Sequence, residues 1–552
     1  MRRFLVWPAG MIWPTVVVDC AVLQALHEGE SDDNDSIHST WKLSRSKFFL
    51  IVLFITFVYS WLPTYFMPIL TFFSLLCFMN KNNLVFGQLT GMQGLSMGAL
   101  RLDWNALTFV FPSPIFYPSW ALCNIFVGFV VIFWIIVPLL YYTNTWNSKI
   151  LPIYAQDAYT LNGTIYNYTF IVNKRADLNQ TAYEHYSSAH LTPILLVNFC
   201  IHFTLITAVI VHTVLHHGRY IKKQFYMSFD EAVNDVHGKL MSKFKEVPEY
   251  WFTTLFILCF LFSVIVCHSG RLMPWYYLFL LVAINFLFLL PAGFIKAISA
   301  QDIDLGILLA LIGGFIMDGD GIGNMTFRTY GYSMQRNSLT FLSCLKLGHY
   351  MKIPPCAMFL MLILSSIVGC IVSYFTAYCM SKFFLNVCLT FTWYCTNARF
   401  LLQMSNLWGI IGAPNVLKTY KFLRYFFLIG ALITVPPWLL SKKYPKIEWL
   451  KCVHFPVMLA TLTQIPPSRP GTIPTWLLIG FLFNFVFYKY ANNWWHKYAY
   501  ICSAGLSTGV SMALIIISFI PPFPYYWWGN AKAAINIDGC PHSTQVFTKY
   551  SG

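Results

Sequence analysis

This chain predicts an all-α fold, a polytopic transmembrane helix bundle with broken or re-entrant helices. Three observations predict it. Only 10% of its 552 residues are charged and 57% are hydrophobic, whereas soluble domains carry about a quarter charged residues. Long runs such as Ser119 to Leu140 and Leu191 to Leu215 contain no Lys, Arg, Asp or Glu. About 20 such residues cross the hydrocarbon of a bilayer. Lipid satisfies no backbone N–H or C=O, so such a run must close its own hydrogen bonds as a helix. Finally, basic residues gather in short segments between the runs, as they do in cytosolic loops. The net charge of +15 is therefore read as loop charge, not as a nucleic-acid surface.

Taken in order, the spans are 4–25, 48–79, 119–142, 191–215, 250–268, 272–295, 357–379, 419–440, 472–489 and 498–520. Shorter apolar pieces broken by Gly or Pro lie at 84–100, 305–317, 383–394 and 452–465. The total is roughly ten to thirteen spans. The run 48–79 is too long for one upright helix, and Pro63 and Pro68 predict a kink or a tight hairpin within it. Arg2 and Arg3 precede an apolar run, but Trp13-Pro14 and Asp19 interrupt it and no small-residue cleavage site follows, so no signal peptide is predicted. The fifteen cysteines lie mostly inside apolar runs, as Cys200, Cys259 and Cys502 do. They read as small core residues rather than a disulfide framework.

Two loops orient the bundle. Segment 143–190 carries three glycosylation sequons, at Asn162, Asn167 and Asn179, which favour the luminal or extracellular side. Segment 216–249 carries Arg219, Lys222, Lys223, Lys239, Lys243 and Lys245, which favours the cytosol. One span, 191–215, separates the two, so the signals agree. Lys442, Lys443, Lys446 and Lys451 place 441–451 in the cytosol as well. The polar loops reach only the lower end of domain size, so residues 1–552 are read as a single membrane domain, integral to a plasma membrane or endomembrane.

Chemistry is expected where apolar pieces break. Gly87 to Leu100 is Gly-rich and runs into Arg101 and Asp103. Leu305 to Phe315 contains Gly313-Gly314 and runs into IMDGDGIGN. Irregular backbone at membrane depth is tolerated only inside protein or along a wet cavity, and secondary transporters place their substrate sites there. Equally, Gly permits close helix packing. The pairs His185/His190 and His212/His216-His217 mimic two boxes of membrane di-iron enzymes, but a membrane span separates them and no third box follows. His27 and Asp32 give a still weaker acyltransferase-like pair. A phosphate-cradling Gly loop followed by Lys-Ser/Thr is missing, which argues against an ATP-driven pump. No catalytic residue, metal site or cofactor is predicted, and an enzyme is the weakest reading.

One string stands apart: CLKLGHYMKIPPCAMF, from Cys344 to Phe359. In a helix Lys346, His349 and Ile353 would share a face, with Lys352 nearer His349. The string reads either as a cytosolic cap or as a cation cluster facing a carboxylate. It resembles the Lys-Ile-Pro-Pro-Arg signature of the oligopeptide transporter family. Further blocks follow in family order: Phe4 to Pro14, Leu102 to Trp104, Phe133 to Ile153, Val236 to Trp251, Pro291 to Ile298, Asn406 to Pro414, Ile465 to Pro467, and Tyr526 to Asn530. The resemblance is to the fungal and plant small-peptide branch.

The resemblance implies proton-coupled transport of short oligopeptides, glutathione among them, with small peptides, protons and the lipid bilayer as partners and no nucleic acid. The alternatives it leaves are a metal-chelate or siderophore carrier and a non-transporting, truncated membrane paralogue. The sequence departs from the family pattern in three ways: Cys356 stands in place of the signature Arg, Cys344 in place of an acid, and Met1 where the family is already well into its membrane domain, without its Asn-Pro-Gly motif. Asp103 is the first candidate for a proton or substrate-ammonium partner, or else the N-cap of a helix starting at Trp104. Lys346, His349, Tyr350 and Lys352 are expected to line or brace the substrate path, with Pro354 and Pro355 fixing the turn. The missing Arg fork predicts weak or absent transport.

Overall fold

The computed structural model describes residues 1–27, 43–80, 83–173, 177–226, 236–383, 396–521, 523–525, 527–530 and 540. The N-terminal run is two helices rather than one span, α1 (Arg2–Leu5) and α2 (Pro14–His27). Pro8 and Pro14 supply no backbone N–H, and Trp13 sits at a positive φ of 54°. α3 (Arg45–Trp61) is capped by Ser44, whose side chain accepts from Lys47 N. It widens at Pro63 into Leu62–Phe66, and Pro68 opens a single tight turn. The chain then doubles back, and Phe73–Ser74 pairs antiparallel with Ala99–Leu100. This is the bend expected within 48–79.

The Gly-rich piece is re-entrant. α4 (Leu84–Thr90) stops at Gly91 and returns through irregular turns. Gln88 donates to Tyr141 Oη at 2.8 Å and accepts from Tyr142 Oη at 3.2 Å, so the break is enclosed by protein. After α5 (Trp104–Thr108) come α6 (Ser119–Tyr142), α7 (Pro193–Tyr226), α8 (Glu249–Ser269), α9 (Tyr277–Ser299), α10 (Gly306–Ile316), α11 (Gly321–Met351) and α12 (Pro355–Phe383). The last part holds α13 (Lys421–Lys443), α14 (Phe455–Ala460), α15 (Thr472–Tyr490) and α16 (Asn492–Ser518). Among the described residues nine helices are long and apolar enough to cross a membrane. The piece expected at 383–394, apart from Phe383 at the end of α12, and the acid Asp32 lie outside the described residues.

α11 was not foreseen as a span. It has 31 residues, roughly 46 Å at 1.5 Å per residue, but its polar residues keep it out of any apolar run. It is seated in the interior. Its residue Gly331 lies where a Cβ would meet Leu309 of α10 at 2.7 Å and Leu281 of α9 at 2.8 Å, so only a bare backbone fits. α7 forms the centre of the bundle. Of its apolar window 83% is buried, against 6% for α8 and for α12, which face lipid.

The loop 143–190 folds over one end of α7. Ile171 and Tyr166 are buried, and Tyr166 Oη donates to Ser187 O at 2.9 Å. Asn162 and Asn167 are exposed, and Asn179 is half-buried as the cap of Gln180–Tyr186. We expect a glycosidase-sensitive mass shift that vanishes when Asn162, Asn167 and Asn179 are all changed to Gln. Cleavage of this loop by a protease confined to the cytosolic side would overturn the orientation. Among the described residues the cysteines are mostly free, as read, with one departure: Cys77 and Cys540 form a disulfide.

Candidate functional site

A polar cavity of about 420 Å³ opens where helices break. Its volume falls in the range that encloses a small ligand. α9 ends at Ala300, which takes the left-handed conformation, and residues 301–304 run irregularly along the cavity floor. Gln335 of α11 donates to Ile303 O at 3.0 Å, and Thr461 Oγ1 donates to Gln301 Oε1 at 2.7 Å, so the floor is tied to two other elements. Asp304 accepts from Gly306 N at 2.6 Å and from Gln464 Nε2 at 3.3 Å. Asp302 pairs with Lys296 at 2.7 Å.

The facing wall is α11. Arg328, Tyr332 and Arg336 recur every four residues and so share one face. Arg328 is 7% exposed, stands over the Phe400 ring and reaches Leu401 O at 3.4 Å. That contact uses one of five guanidinium N–H groups. A Cβ built on Gly306 would lie 2.9 Å from Asp304 Oδ1 and 3.3 Å from Arg328 Nε. The carboxylate and the guanidinium therefore flank the same glycine. Gln301 is buried, and its Nε2 has no partner among the described residues. An acid, a base and an unspent amide donor in one cavity suit a ligand that carries both charges.

The residues singled out in the sequence lie elsewhere. Asp103 caps α5: its oxygens accept from Asn105 N at 3.1 Å and from Ala106 N at 3.2 Å. Lys346, in α11, is 1% exposed and donates to Val6 O at 2.7 Å and Pro8 O at 3.1 Å. Tyr350 Oη donates to Ile12 O at 3.1 Å. Lys352 ends the helix at a positive φ of 60° and reaches His349 O at 2.8 Å and His237 Nδ1 at 2.6 Å. His349 and Pro355 line a separate pocket of about 70 Å³, and Pro354 starts the turn into α12. None of these residues is among the described residues that line the large cavity.

Asp302, Asp304, Arg328 and Arg336 were missed. A signal existed: acids and arginines are costly inside a membrane domain and mark sites there. Gln301 to Leu305 leads directly into the Gly-broken piece that the sequence reading did single out.

A helical membrane protein with a charged cavity at broken helices is built as a carrier. Comparison with known proteins specifies the family. Residues 1–520 match the family described as OPT oligopeptide transporter protein. Oligopeptide transporter 7 of Arabidopsis thaliana is 33% identical over 98% of this chain and 71% of its own length. Oligopeptide transporter 3 of the same plant is 34% identical, over 100% and 76%. Glutathione transporter 1 of Schizosaccharomyces pombe is 33% identical, over 96% of this chain and 64% of its own length. The chain belongs to the oligopeptide transporter family, and it is an integral, multi-pass membrane protein.

Proposed function

We propose that this protein carries short oligopeptides, glutathione among them, across a membrane, that protons drive the transport, and that the cavity between α11 and residues 301–304 holds the peptide. The names of its relatives support the cargo. The observation that carries the site is that the Asp304 carboxylate and the Arg328 guanidinium lie together beside Gly306 in the cavity. A free peptide presents an ammonium at one end and a carboxylate at the other. A carboxylate docks on the fork of an Arg through paired charge-assisted hydrogen bonds, and an ammonium is paired by an Asp.

On this reading the Lys346–Pro355 signature braces the N-terminal segment rather than touching the peptide, and Cys356 in place of Arg does not itself remove a substrate contact. The decisive experiment is uptake of a labelled tetrapeptide and of labelled glutathione at acid and at neutral external pH, with the protein shown to be at the membrane. Uptake should be faster at acid pH. Protein at the membrane with no uptake at either pH would leave the non-transporting reading.

A further inference from the structure

A short strip of the loop 143–190 ties two walls of the cavity together. Ile153 and Tyr154 are buried in the main core. Tyr154 Oη lies 3.2 Å from Pro467 O and 3.3 Å from Ser468 O, and Gln156 Nε2 donates to Pro467 O at 3.1 Å. Pro467 lines the cavity. One residue on, Asp157 reaches a second wall. It accepts from Arg399 Nη2 at 3.1 Å and from Gln403 Nε2 at 2.6 Å. Those two residues are four apart on the helix Thr396–Ser405 and so share a face. Phe400 and Leu401 of the same helix line the cavity. The loop also meets the start of α11, where Leu178 N donates to Gly319 O at 3.0 Å. Arg328 follows the start of α11 at Gly321 by seven residues, about 10 Å at 1.5 Å per residue. The strip therefore stands on the side of the bundle nearer the charged end of the cavity.

The two ends of the strip differ. The Tyr154 end is packed into the core. The Asp157 end is held by an ion pair and an amide, and the Arg399 side chain is 43% exposed. Water can replace such contacts at little cost, so this end can part while the core stays intact. Amide oxygens at both ends, Gln156 Oε1 and Gln403 Oε1, are buried with no partner among the described residues. An unmade acceptor costs stability, so the closed arrangement is held without being locked. The helix that receives Asp157 also touches the candidate substrate site. The Arg328 guanidinium stands 5.8 Å from the centre of the Phe400 ring and donates to Leu401 O at 3.4 Å. Both residues sit on the turn between Arg399 and Gln403.

We propose that residues 154–157 form a gate of the carrier, hinged at Tyr154 and latched by Asp157 on Arg399 and Gln403. The inference rests on the peptide reading of the cavity. With the latch made, the cavity is shut toward the side that carries the loop 143–190. When Asp157 lets go, the helix Thr396–Ser405 swings away from the strip and the cavity opens to that side. Alternating access needs each side closed in turn, and this latch is the closure for one of them. A peptide carboxylate that docks on Arg328 competes with Leu401 O for the guanidinium. Occupancy of the cavity is therefore felt at the latch through one turn of helix, and the influence runs equally in the other direction.

The test uses the full chain at the membrane and a labelled tetrapeptide. One variant carries Asp157→Cys and Gln403→Cys together, and a short, reducible bifunctional thiol reagent bridges the pair, with the bridge confirmed by mass spectrometry. Bridging should lower uptake by about tenfold or more, because a carrier with one gate held shut cannot alternate. Reduction of the bridge should restore uptake. Each single-cysteine variant, treated alike, should keep its rate, which removes the native cysteines as the cause. Unchanged uptake in the bridged chain overturns the gate and leaves the peptide reading standing. A wild type that takes up no peptide overturns the peptide reading and the gate with it. Should the pair fail to reach the membrane, or to transport before bridging, hydrogen exchange of the wild type decides the matter. Saturating peptide should change exchange in 154–157 and in 396–405 together. Exchange unchanged in both segments while the peptide binds overturns the gate.

Discussion

Replacing Arg328 by Gln should lower peptide uptake ten- to a hundred-fold, with the protein still reaching the membrane. The guanidinium lines the cavity, is 7% exposed and spends one N–H on Leu401 O. A hydrogen bond to a charged group is worth about 1.5–3 kcal/mol, which converts to that range of affinity. Arg328→Lys should recover part of the loss, because it keeps the charge but not the planar fork. Asp103→Asn is the matched control. Both Asp103 oxygens are taken by backbone N–H groups, and Asn caps a helix about as well as Asp, so uptake should stay near wild type. Normal uptake in Arg328→Gln would remove the cavity from the transport path. Loss of pH-driven uptake in Asp103→Asn would return the proton role to Asp103.

The pattern of success and failure in the sequence has a physical cause. Helices that face lipid on most sides, such as α8 and α12, are legible because lipid demands an unbroken apolar run. The breaks at Pro63, Pro68 and Gly91 are legible because Pro and Gly act locally. α11 was not legible as a span. Asn324, Arg328, Gln335 and Lys346 dilute its apolar pattern, and each is buried against protein rather than lipid. Asn324 donates to Ala310 O at 2.8 Å and Gln335 to Ile303 O at 3.0 Å. The polarity that hid the helix is the polarity that builds the cavity. The Asp103 cap was readable from local spacing, and it was one of the two roles weighed for that residue. What Lys346 reaches was not readable, since its acceptors lie 338 and 340 residues away.

Lys346→Met should destabilise the protein by about 1–3 kcal/mol and lower the apparent melting temperature in detergent. Met has nearly the length and volume of the Lys stem, so the packing loss is small. What is lost is the buried ammonium, 1% exposed, which bridges Val6 O and Pro8 O. A buried acceptor left unsatisfied costs roughly 1–3 kcal/mol, and Val6 O is stranded here, while Pro8 O keeps its bond from Met11 N at 3.2 Å. The effect should spread to the segment they belong to. Trp13 Nε1 donates to Leu5 O at 2.9 Å and Trp13 N to Ala297 O at 2.8 Å, so loosening 6–8 frees the connection from α1 to α2 and weakens its hold on α9. Protease sensitivity near residues 6–13 should therefore rise in step with the loss of stability. The folded fraction of Lys346→Met should bind peptide with unchanged affinity, because Lys346 braces this segment and does not line the cavity. A variant as stable as the wild type that no longer binds peptide would reverse the assignment and put the signature lysine on the substrate.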